Sequence, residues 1–178
     1  MIFLSEEKIR KLAFSILSTC LSGPNMDKLY RESSIESKYR DSDILDDYIA
    51  FYHDSLMEHL VSFSSLIRAS DDHRPYLNNF SKRLNSSIEI ITTISSSRNI
   101  GERNIREACN KIIHASAFKY TDVHTSNNPL YGNLENCSLY DSLSPQLSVV
   151  GEHNKEKWEF TIHIVPFIVY AVEACKSG

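Results

Sequence analysis

The sequence predicts a mainly α-helical domain: a bundle of four to five main helices, a small β-hairpin and a short closing helix. Three observations lead there. Apolar residues recur at three-and-four spacing through several long segments before residue 118, which is the mark of amphipathic helices. One stretch near residue 160 alternates strictly instead, which is the mark of a half-buried strand. With 178 residues, 42% of them hydrophobic and 24% charged, the chain is long enough to bury a real core. A single domain over 1–178 is expected, with the bundle at about 5–118, a loop and hairpin at about 119–164, and the closing helix at about 165–176.

The first helix is expected from Ser5 to Ser22. Ser5 can cap free amides, Glu6 and Glu7 suit the positive end, and Ile9, Leu12, Ile16 and Cys20 share one face. Gly23-Pro24-Asn25 reads as its stop, with a short helix possible near Met26 to Glu32 before a polar connection. The longest periodic segment runs from Ser42 to Ala69, where Leu45, Tyr48, Tyr52, Leu56, Leu60, Phe63 and Ile67 keep a bundle-like rhythm. Its solvent side is acidic: eight Asp or Glu lie between Asp41 and Asp72, against Arg68 alone.

A break at Asp71-Asp72-His73-Arg74-Pro75 precedes a second long helix expected from Pro75 to Ser95, built on Leu77, Phe80, Leu84, Ile88, Ile91 and Ile94. Ser95 to Gly101 reads as a turn, and a helix over Arg103 to Ala115 follows. Residues 121 to 145, with Asn127, Pro129, Gly132 and Pro145, read as mostly loop. Gln146 to Gly151 and Lys157 to Ile164 form the hairpin, turning at His153-Asn154. Trp158, Phe160, Ile162 and Ile164 fall on one of its faces, with Glu159, Thr161 and His163 on the other. Pro166 to Cys175 closes the core.

Several function classes are disfavoured at this level. Net charge −4 and a pI near 6.0 argue against a general nucleic-acid coat, although a local basic patch suffices for site-specific RNA contact. No apolar run reaches bilayer length, so no membrane partner is expected. Met1-Ile-Phe-Leu passes at once to Ser5-Glu-Glu, unlike a signal or transit peptide, and the expected location is cytoplasmic. Cys20, Cys109, Cys137 and Cys175 lack C-x-x-C spacing, which disfavours disulfide frameworks and zinc knuckles. No Gly-rich phosphate loop is present; neither cofactor nor metal is expected. His53 and His59 sit six apart and face different ways, and Asp71-Asp72-His73 fits a polar turn better than a cation site.

The chemistry concentrates on the helix after the turn. Ile105, Ala108, Ile112 and Ala115 form its apolar stripe. Arg106, Asn110 and His114 recur every four residues as a drifting polar row, and they are the candidate catalytic residues. A guanidinium binds phosphate oxygens through a fork of donors, an imidazole exchanges protons near neutral pH, and an amide can orient either group. Arg103 and Lys111 are the candidate RNA-binding side chains. Cys109 beside Arg106 is a further candidate nucleophile, against a packing role for a small residue on a buried helix. Trp158 could stack on bases, but a lone tryptophan opening an alternating strand also suits the core.

The arrangement Cys109-Asn110-Lys-Ile-Ile-His114 resembles the signature of HEPN-domain proteins, an arginine followed by a polar residue such as Asn with His four to six residues beyond. The resemblance covers the Asn and the His spacing and the helical layout of roughly residues 42 to 118. It implies a compact helical bundle that dimerises and cuts RNA without a metal, as in bacterial toxin–antitoxin and phage-defence systems. Here Cys109 stands where the motif has arginine, and the nearest arginine, Arg106, lies one turn earlier. Three readings stay open: a metal-independent endoribonuclease acting as a homodimer, a catalytically inactive HEPN-like module binding RNA or a protein partner such as an antitoxin, and a structural helical subunit. The segment from Arg98 to Lys119 carries five Lys or Arg against two Glu, so plain pairing with the acidic helix would also explain its charge.

Overall fold

A computed structural model describes residues 6–31, 43–73, 82–84, 91–95, 104–121, 146–153 and 155–175. Four helices and four strands are laid out along these segments: α1 (Glu6–Arg31), α2 (Asp43–His73), β1 (Ile91–Ser95), α3 (Ile105–Ile113), β2 (Ala117–Thr121), β3 (Gln146–His153), β4 (Glu156–His163) and α4 (Ile164–Cys175). Residues 82–84 are also helical. The described residues are mainly helical, and their four strands form an antiparallel sheet of order β1-β4-β3-β2.

The helical layer follows from the apolar stripes. Ile9, Ala13, Ile16 and Cys20 are the buried face of α1, and Tyr52, Leu56, Leu60, Phe63 and Ile67 are that of α2. These stripes bring α1 against α2 and α4, and α2 against α3. Phe63 meets Phe167 of α4 edge-on, with ring centroids 6.0 Å apart. Pro166 sits in the first turn of α4, where a missing amide costs no helical hydrogen bond.

The hairpin expected at the C-terminal end forms, with a register that explains its alternation. Leu147 faces Ile162, Val149 faces Phe160 and Gly151 faces Trp158, and all six are buried. On the opposite face the Ser148 and Thr161 hydroxyls lie 3.1 Å apart as a cross-strand pair. The ladder runs as far as His153 opposite Glu156, and Lys155 next to it takes a left-handed φ of 67°. The small side of α3 then closes on β3: both the amide and the hydroxyl of Ser116 donate to the Val150 carbonyl, at 2.9 and 3.2 Å.

Three expectations need correction. The helix predicted from Pro75 to Ser95 does not reach its end, because Ile91–Ser95 is strand β1, paired with β4. Ile90-Ile-Thr-Thr-Ile94 is a run of five β-branched residues whose stiff side chains favour the pleated backbone, and that outweighed the helical spacing of Ile91 and Ile94. Ala117–Thr121 is also a strand, β2, on the far side of β3. The sheet is therefore no C-terminal appendage: it takes one edge from the middle of the chain and the other from directly after α3. Finally, α1 does not stop at Gly23-Pro24 but continues to Arg31, absorbing the separate short helix. Gly and Pro lower helix preference locally, but the stripe from Ile9 to Cys20, packed on two other helices, fixes the direction of the chain. Ser5, the turn from 96 to 101, Arg103 and the loop from 122 to 145 lie outside the described residues.

Candidate functional site on α3

The helix that carries the candidate residues is short and firmly seated. Asn104 caps it: in extended conformation, its side-chain oxygen accepts from the Glu107 amide at 2.8 Å. Ile105, Ala108, Cys109 and Ile112 are buried, so one whole side of α3 belongs to the core. The expected stripe is present, with Ala115 partly buried against it and Cys109 joining it.

Each candidate side chain has a defined surrounding. Arg106 reaches back to the C-terminal end of α2, where its Nη1 pairs with Asp71 and its Nη2 donates to Asp72 at 3.0 Å. Arg68, one turn earlier on α2, approaches the same carboxylates at 3.9 and 3.5 Å. Asp71 is buried, whereas the Asp72 side chain is 50% exposed and that of Arg106 is 31% exposed. Burial, and next the neighbouring Arg68, lower the Arg106 pKa; a guanidinium remains charged at neutral pH regardless.

Asn110 donates from its amide nitrogen to Glu107 at 3.3 Å, and both are half-buried. His114 caps the C-terminal end: its backbone amide donates to the Asn110 carbonyl at 3.0 Å, the Ala115 amide donates to the Ile112 carbonyl at 3.4 Å, and His114 is exposed. Lys111 pairs with Glu107 at 3.5 Å, and its ammonium lies 4.4 Å from the centroid of the Trp158 ring, with its side chain 17% exposed. That geometry gives Lys111 a packing role between α3 and the sheet. Trp158 is likewise a core residue, and its ring occupies the space a side chain at Gly151 would need.

The polar row is thus three separate environments. Arg106 and His114 are eight residues apart on one helix, so their Cα atoms lie roughly 12 Å apart at the usual rise per residue. Arg106 is turned toward α2 while the imidazole stands at the other end of α3. Within one chain they do not converge on a single phosphate.

Cys109 is not an activated nucleophile. Full burial pushes its thiol up to about 12, against smaller lowering effects from Ser64 and the two arginines. The proximity of Arg106 suggested the reverse, and desolvation wins because the sulfur has no water to stabilise a thiolate. Among the described residues, Cys20, Cys109 and Cys175 are not joined to one another by a disulfide. The pairing of Arg106 with the acidic helix, one of the readings its sequence allowed, is what the structure shows, and it falls on Asp71 and Asp72.

Among the described residues no group of three or more His, Cys, Asp or Glu is placed to hold a metal ion, and no helix is long and apolar enough to cross a membrane. No protein-family model, curated protein or solved structure matches the chain.

Proposed function

We propose that this chain is a HEPN-like module and a candidate metal-independent endoribonuclease of a bacterial toxin–antitoxin or phage-defence system, working in the cytoplasm as a homodimer. What supports this reading is the exposed His114 imidazole at the end of a helix whose opposite side is held in the core. Such a group is reachable by a nucleotide yet rigidly based. One copy of His114 takes the proton of a ribose 2′-hydroxyl as its oxygen attacks the adjacent phosphorus. The bond from phosphorus to the 5′-oxygen breaks, and the imidazolium of a second copy returns a proton to that oxygen. The products are a 2′,3′-cyclic phosphate and a 5′-hydroxyl. Asn110 orients the reacting groups and Arg106 neutralises the phosphate. Because Arg106 and His114 do not converge within one chain, the second copy has to supply what the first lacks.

A second reading rests on the ion pairs of Arg106 with Asp71 and Asp72. A guanidinium engaged in this way suits a catalytically silent HEPN-like module that binds a protein partner, an antitoxin or RNA, or a structural subunit. Incubating wild type and His114→Ala with RNA in EDTA separates the two. The ribonuclease reading expects cleavage with cyclic-phosphate ends, reduced on the order of 10²-fold or more by the substitution. Wild-type protein that binds RNA without cutting it favours the silent module. A strictly monomeric mass in solution, with RNA present, rejects the composite site.

A further inference from the structure

We propose that Asp71 and Asp72 form an acidic clamp that holds Arg106 away from phosphate, with the Asp72 carboxylate standing where a phosphate oxygen would bind. The inference rests on the ribonuclease reading for its biological meaning and names the regulation of that same site. Its geometry is a division of labour between two neighbouring carboxylates. Asp71, buried under both arginines, anchors the cluster; Asp72, half exposed, accepts the Arg106 Nη2 hydrogen bond on the solvent side. The arginine that Asp72 covers is itself about one-third exposed, so a phosphate can reach the position once the carboxylate swings out.

The charge balance favours such an exchange. Arg68 and Arg106 face Asp71 and Asp72, so the cluster is neutral as it stands and gains one positive charge when Asp72 leaves. Arg68 turns its Nη2 to Asp72 at 3.5 Å, so the position that Asp72 would leave faces both guanidinium groups. Arg106 also sits in the first turn of α3, where the free amides already give a positive end and a cation needs a counter-anion. A singly charged phosphate group restores this balance as the Asp72 carboxylate does, since guanidinium forks donate to either. The outer arm is the weaker one: a solvent-exposed ion pair contributes little and yields to competition.

The test compares wild type, Asp72→Asn and the double variant Asp72→Asn/Arg106→Met by titration with inorganic phosphate and with a labelled RNA oligonucleotide at fixed ionic strength. Asp72→Asn is expected to bind phosphate about fivefold more tightly than wild type, the equivalent of one exposed ion pair, and the double variant is expected to lose that gain. Asp72→Ser repeats the comparison should asparagine disturb the thermal transition. Equal phosphate affinity in wild type and both folded single variants overturns the clamp, as does a gain that survives the loss of Arg106. A phosphate gain with no RNA binding or cleavage by any variant leaves the clamp standing and removes the ribonuclease reading instead.

Discussion

The two ends of α3 carry residues from one short polar row, yet they are put to different uses. The Arg106 end is tied into α2 by two carboxylates and capped by Asn104, while the His114 end presents its imidazole to solvent. Equal spacing on a helix therefore says which side chains point to a common side, not which share an environment. What decides the environment is the neighbouring element. At the first end that element is the acidic terminus of α2; at the second the chain turns directly into β2.

The contrast can be broken or sharpened by experiment. The largest effect is expected beneath the row: with its thiol held up at about 12, Cys109 should react with iodoacetamide at pH 8 on the order of a thousandfold more slowly than in the denatured chain. Peptide-resolved mass spectrometry measures this, and comparable rates would mean that this part of α3 opens readily. Next, Asp71→Ala removes the buried anchor and leaves two partly buried guanidinium groups facing Asp72 alone. Urea unfolding should register a loss of about 3 kcal/mol, and a loss under 1 kcal/mol would make the Arg106 end as loosely held as the other. Asn104→Ala should cost about 1 kcal/mol, the usual value of an N-cap. His114→Ala, at the exposed end, should change stability by about 0.5 kcal/mol or less; a larger loss would show that the imidazole is part of the architecture.

The sequence revealed the helical share of the fold more fully than the strand share. The stripes of α1, α2 and α3 were legible because each repeats from turn to turn, α4 because it is a short apolar run, and the buried residues from Ile9 to Cys20 and from Tyr52 to Ile67 follow the first two stripes. The hairpin was legible because Trp158, Phe160 and Ile162 alternate without interruption. β1 and β2 were not. Five residues fit either period, and Ile91 and Ile94 satisfy helical spacing while standing in a strand. β2, in contrast, left a signal in Phe118 and Tyr120 alternating with Ala117, Lys119 and Thr121, too short to stand out beside a long helix. For the candidate site, the row was visible and so was the acidic helix as a partner for Arg106, but the particular carboxylates were not. Asp71 and Asp72 lie 35 and 34 positions before Arg106, and only the packing of α3 on α2 makes them neighbours.

The contact between Gly151 and the indole of Trp158 reaches beyond the hairpin. A Cβ atom at position 151 would come within 2.0 Å of the ring, so only glycine admits it. Sliding β3 by one residue would push Val150 or Glu152 under the same ring, and the misaligned pairing would reject itself through crowding. Since Lys111 of α3 rests on that ring, a residue with no side chain also helps select where the His114 helix docks.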